Sequence, residues 1–164
     1  MLVNSFLRFM EMFYGFFVKI GSNLQSVLLL YVRLTWGHQL FLTGLDKLKN
    51  IENVVQLFSK LHIPAPTFHA YEVGIFEMVG GILLVLGFAS RIITIPLIVI
   101  MISALSLAHA EALAGFQFVI SPQTLVLQTP YPFLFTALMV FIFGPGRVSL
   151  DAWLKRWISH QPRF

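Results

Sequence analysis

Apolar residues fall into long runs along this chain, separated by short clusters of charge, glycine and proline. Four runs read as membrane-crossing helices, at about residues 25–45, 68–89, 92–112 and 130–144, since a crossing needs about 20 consecutive apolar residues. The fourth is short, and only Pro130 and Tyr131 mark its start. Ser90-Arg91 makes a tight turn between the second and third runs, and Pro96 falls early enough in the third to be tolerated. An uncharged loop with Pro122 and Pro130 occupies 114–130.

Two further stretches alternate at helical spacing without being long apolar runs. In residues 1–22, Asn4, Arg8, Glu11, Gly15, Lys19 and Ser22 recur every three or four positions. Phe6, Phe9, Phe13, Phe16, Phe17 and Ile20 fill the remaining surface. This predicts an amphipathic helix lying in the membrane interface, with no small-residue cleavage site to remove it. In residues 46–63, Ile51, Val54, Val55, Phe58 and Leu61 form one stripe, opposite Lys49, Glu52, Asn53, Gln56 and Lys60. A surface helix is expected there, stopped by Pro64 and Pro66. The expected organisation is an interfacial helix at 1–22, a four-helix membrane domain at 23–153, and an interfacial tail at 154–164 that carries Lys155, Arg156 and Trp157.

Composition agrees with an all-α membrane protein. The 164 residues are 57% hydrophobic and only 11% charged, about half the charge of an ordinary soluble domain. Cysteine is absent, so dithiol exchange, thiolate-bound zinc and iron–sulfur clusters need residues from elsewhere. The formal charge of +4 speaks for anionic lipid rather than nucleic acid, because no basic run is interleaved with aromatic residues. Arg8, Lys19, Arg91, Arg147, Lys155, Arg156 and Arg163 fall on one side of the expected membrane, against Lys47, Lys49 and Lys60 on the other. That asymmetry puts both termini in the cytoplasm.

Ionisable groups inside the spans are the candidates for function, since they are rare in membranes and normally face the interior. A rise of about 1.5 Å per residue places Arg33 about 12 Å, Glu77 about 16 Å and His38 about 20 Å above the cytoplasmic edge. Arg33 and Glu77 are therefore expected to form a buried ion pair. Gly37 and Gly44 on the face of Arg33, and Gly74, Gly80 and Gly81 around Glu77, would let the two helices approach. The pair either fixes helix packing or takes part in substrate or proton handling.

A second group gathers near the outer helix ends: Asp46, Lys47, Glu72 and His109, with His38 about two turns below. Carboxylate, ammonium and imidazole together suit a polar head group that exchanges protons, and a quinone is the ligand expected. Ordinary helix-end charges are the plainer reading of Asp46 and Lys47, and a satisfied interfacial histidine is the plainer reading of His109. Haem between His38 and His109, and a loop metal site from His62, His69, Glu72 or His109, stay open as alternatives, without any recognisable ligand spacing. No residue is assigned a catalytic role.

Arg33-Leu34, Gly37, Phe41, Gly44 and Lys47-Leu48 resemble the first-helix pattern of the DoxX family. So do "IPAP" at 63–66, "EMVGGILLVLGFASR" at 77–91 and "GPGRVSLDAW" at 144–153, in the family's order. The resemblance covers about residues 26–153. It implies a multi-pass protein of the bacterial inner membrane, related to the small subunit of thiosulfate:quinone oxidoreductase. It also implies interest in Arg33, Lys47, Glu77 and His109. Two functions follow as expectations: a quinone-binding subunit working with a partner redox protein or a second copy, or a non-catalytic membrane anchor whose buried pair is structural.

Overall fold

The computed structural model describes residues 2–113 and 121–159, without side-chain detail for 2–6, Phe9 and Ala112. The expectations for Asn4, Phe6, Phe9, residues 114–120 of the 114–130 loop, and residues 160–164 with Arg163 lie outside the described residues or side chains. Every described element is helical: α1 (Leu2–Lys49), α2 (Ile51–Lys60), α3 (Pro66–Leu86), α4 (Ser90–Ala108), α5 (Ala110–Leu113), α6 (Pro122–Val126), α7 (Pro130–Phe143) and α8 (Leu150–Ser159). Among the described residues, three helices are long and apolar enough to cross a membrane: α1, α3 and α4. The fourth apolar helix, α7, has 14 residues and a length of about 21 Å, short of a hydrocarbon core of about 30 Å.

The expected division near residue 22 has no counterpart in the backbone. α1 runs unbroken for 48 residues, about 72 Å. No proline interrupts it, and a single glycine costs a helix only about 1 kcal/mol, so Gly15 and Gly21 do not end it. The sequence-level boundary followed a change in polarity, which the backbone does not need to obey. Likewise α8 begins at Leu150, ahead of the expected tail boundary at 154.

α3 and α4 end three and four residues before the expected limits, and each end has a local cause. Gly87 closes α3 in the left-handed conformation, with φ 67°, which glycine adopts without a Cβ penalty. His109 leaves the helical conformation and caps α4. In α2, Ile51, Val54, Val55 and Phe58 are half-buried while the polar positions are exposed, so the apolar stripe faces the bundle.

α1 packs along α3, and α4 lies between α3 and α7. The α1–α3 contact is glycine on glycine. A Cβ on Gly81 would stand 2.6 Å from the Gly37 carbonyl oxygen, and one on Gly44 would stand 2.8 Å from that of Gly74. Both pairs are spaced by seven residues, two helical turns, so one seam carries both contacts. Leu40, Leu84, Leu97, Met101, Phe133, Ala137 and Val140 fill the core between α1, α3, α4 and α7.

Candidate functional site

The glycine seam fixes which charged groups meet. Gly37 lies against Gly81 and Leu84, while Gly44 lies against the backbone of Glu77 and Met78. Glu77 is therefore level with Gly44, eleven residues beyond Arg33, or about 16 Å along α1. Arg33 and Glu77 are both buried, at 1% and 2% exposure, but they do not pair. The expected depths counted Arg33 from a first span beginning near residue 25, but α1 has no end there, and Arg33 lies level with the last turn of α3.

Arg33 is held by carbonyl oxygens. Its Nε donates to Leu84 at 2.8 Å, Nη2 to Val85 at 3.0 Å, and Nη1 to Val148 at 3.0 Å and to Pro145. Leu84 and Val85 belong to the last turn of α3, whose carbonyls are short of backbone donors and attract a cation; Leu84 also accepts from the Gly87 N–H at 3.1 Å. The guanidinium thus caps α3 and ties the 145–148 loop to it. Gly87 leaves it room: a Cβ there would stand 2.7 Å from the Arg33 Cζ. Asp151 closes the same junction. Its carboxylate accepts from the backbone N–H groups of Ala89 at 2.8 Å and Ser90 at 3.0 Å, and its own N–H donates to Gly87 at 3.0 Å. Arg33, "GFASR" and "GPGRVSLDAW" form one structural knot.

Glu77 has a different partner. Lys47 Nζ, on a side chain one-third exposed, donates to Glu77 Oε1. Glu77 Oε2 is buried and has no hydrogen-bond partner among the described residues. The Thr43 side chain lies beside the carboxylate, with its hydroxyl donating to the Leu40 carbonyl at 2.9 Å. A buried carboxylate with one oxygen unsatisfied is costly, so this end of the bundle holds polar capacity that the fold does not use.

A groove of about 410 Å³ opens between α1 and the α6–α7 segment, and Thr43, which adjoins the Glu77 carboxylate, is part of its lining. Thr35, Trp36, Gln39 and Thr43 line one wall; Gln128, Thr129, Pro132 and Phe133 line the other. Trp36 and Phe133 meet edge to face at a centroid distance of 5.8 Å. Gln128 Nε2 donates to the Thr124 carbonyl at 2.9 Å, which leaves it one N–H and its oxygen. Thr35, Gln39, Thr43 and Lys47 are spaced by four residues each, so they form one polar stripe leading along the groove to the Lys47–Glu77 pair. That periodicity was readable in the sequence. Threonine and glutamine carry no charge, so residue type alone does not mark the stripe.

The other expected site residues are dispersed. Glu72 accepts or shares a hydrogen bond with His69 Nδ1 at 2.8 Å. Asp46 is exposed and accepts from Asn50 Nδ2 at 2.8 Å. His38 is exposed on α1, and His109 is half-buried at the end of α4; neither lines the groove. The expected five-residue cluster therefore reduces to Lys47, joined by Glu77. Among the described residues, no three His, Asp or Glu side chains are placed to hold a metal ion.

The fold and site define an all-helical membrane protein in which a half-buried lysine pairs with a buried glutamate near a polar groove. The DoxX family profile matches residues 28–110, about half of the chain, and the chain belongs to the DoxX family. It is similar to the uncharacterized membrane protein Rv3486 of Mycobacterium tuberculosis, at 34% identity over 103 residues, which cover 60% of this chain and 63% of that protein. It is also similar to CatD of Bacillus subtilis, whose assignment as an oxidoreductase is itself provisional. There the identity is 32% over 83 residues, covering 51% of this chain and 60% of the relative. The chain thus spans about six tenths of the length of the curated relatives it matches. No solved structure matches it.

Proposed function

We propose that this chain is a quinone-binding membrane subunit of a redox system, with the head group seated in the groove between α1 and α6–α7. The observation that carries this reading is the conjunction of that groove with the unsatisfied oxygen of Glu77. The groove's volume lies within the ordinary range for ligand sites of about 300–1,000 Å³. Trp36 and Phe133 offer aromatic surfaces for a flat ring, and the Gln39 and Gln128 amides offer donors for its oxygens. Quinone, when bound, carries two electrons and two protons between its oxidised and reduced forms. Lys47 and Glu77 hold protons next to Thr43 at the groove's end, and the exposed side of Lys47 connects them to water. The electrons come from or go to a partner oxidoreductase, a role supported by the naming of the Bacillus relative.

In this reading α7 is the fourth crossing, and its short length is met by local thinning of the bilayer. Both termini face the cytoplasm of a bacterial inner membrane, a placement that the lysine and arginine asymmetry supports. A partner or second copy meets the N-terminal third of α1, where Phe13, Phe16 and Phe17 are exposed.

One observation favours the anchor reading instead. Lys47–Glu77 bridges α1 and α3 beside the Gly44–Gly74 contact, where it also holds the two helices in register. Mass spectrometry of the organic extract from gently purified protein separates the two. The redox reading expects quinone retained by wild type and lost from Gln39→Leu with folding intact. The anchor reading expects no difference between the two proteins.

A further inference from the structure

The opposite end of the bundle carries a second, larger cavity of about 720 Å³, bounded by α1, the start of α4, the 143–147 loop and α8. Arg91, Arg147 and Lys155 line it against a single carboxylate, Asp151. Both Asp151 oxygens are already engaged by the backbone N–H groups at the start of α4. The cavity is left with cationic side chains and no free counter-charge of its own. Arg147 Nη1 donates to Asn23 Oδ1 at 2.7 Å, and Arg91 reaches the Ile142 carbonyl only at 3.4 Å. The Lys155 ammonium makes no hydrogen bond or ion pair among the described residues.

Ser90 supplies an independent indication of a ligand. It lines this cavity, is fully buried at 0% exposure, and its hydroxyl has no partner among the described residues. A neighbouring serine, Ser149, donates to the Gly146 carbonyl at 2.8 Å, so the local backbone can satisfy a hydroxyl where the geometry permits. Burying Ser90 unsatisfied costs on the order of 1–3 kcal/mol, and a polar ligand in the cavity removes that cost.

We infer that this cavity binds a phosphate ester, and specifically the head group of an anionic phospholipid. Arginine forks and a lysine ammonium match phosphate oxygens, and the Ser90 hydroxyl adds one neutral donor. The apolar flank argues for lipid over a soluble anion. Ile92 and Phe143 also line the cavity and are 73% and 54% exposed, so acyl chains can leave the site along an apolar wall. This end of the bundle is also the one on which the basic residues concentrate. The site is separate from the groove beside Glu77, and its occupancy does not depend on quinone.

Isothermal titration of the detergent-purified full chain tests this, using a short-chain phosphatidylglycerol, the matching phosphatidylcholine and inorganic phosphate as probes. Phosphatidylglycerol is expected to bind at least about tenfold tighter than phosphatidylcholine, and Lys155→Gln to weaken it about tenfold. Ser90→Ala should weaken it about fivefold while leaving the melting temperature of the lipid-free protein unchanged or raised. Lys60→Gln, at the other end of the bundle, should have no effect. Equal affinity for the two lipids, or equal losses in Lys155→Gln and Lys60→Gln, overturns the proposal. Displacement of phosphatidylglycerol by millimolar inorganic phosphate overturns the assignment to lipid.

Discussion

Two buried charged groups lie about 16 Å apart along α1, and the protein treats them in opposite ways. Arg33 donates to four carbonyl oxygens from two separate segments. Glu77 has one partner, a half-buried lysine, and one oxygen with none. A saturated buried ion is a structural fastener, because any rearrangement loses hydrogen bonds and gains nothing. An ion left half-satisfied next to a groove keeps capacity for a ligand or a proton. Burial alone therefore does not distinguish fastening from function in a membrane interior; the state of the remaining polar atoms does.

Removing Arg33 is the most severe way to probe this contrast. Arg33→Ala removes the side-chain donor from the carbonyls of Val85, Pro145 and Val148 and one of the two donors to Leu84, at a cost on the order of 5 kcal/mol. The folded protein should fail to survive detergent extraction, as size-exclusion chromatography would show. Arg33→Lys should not rescue it, because an ammonium cannot reproduce the planar fork.

The glycine seam that sets the two ends apart comes next. Gly81→Ala drives a Cβ into the backbone of Phe41 and Gly37 and should cost about 3 kcal/mol, read as a lowered melting temperature. Gly21→Ala has nothing within 4 Å and should instead stabilise the helix by about 1 kcal/mol.

Lys47 should show a conditional effect. Lys47→Met in wild type strands a buried carboxylate and should destabilise by about 3 kcal/mol. In a Glu77→Gln background the same change should cost under about 1 kcal/mol. Equal costs in both backgrounds would mean that Lys47 acts through packing rather than charge. The smallest stability effect is expected at Gln39: Gln39→Leu should leave the melting temperature unchanged and weaken a soluble quinone analogue about tenfold.

Much of the architecture was readable from residue order. Long apolar runs marked the helices, Pro64 and Pro66 marked the break before α3, and the α2 stripe predicted the positions that the structure half-buries. The register between α1 and α3 was not readable, since it depends on where Gly87 ends α3 and on which glycines meet. A displacement of about two turns in that register was enough to exchange Glu77's partner from Arg33 to Lys47. The carbonyl nest around Arg33 was hidden for a related reason: its acceptors are backbone atoms, which no residue type advertises. The continuity of α1 was obscured by a polarity change that carries no backbone signal.

The proposed function makes the groove that Thr43 joins to Glu77 a quinone site and leaves the Arg33 end structural. The most direct measurement is the quinone content of wild-type and Gln39→Leu proteins, purified side by side and matched by melting temperature. Quinone enriched over bulk lipid in wild type and lost from the variant is the predicted result. The same quinone content in both proteins, at equal stability, would contradict it.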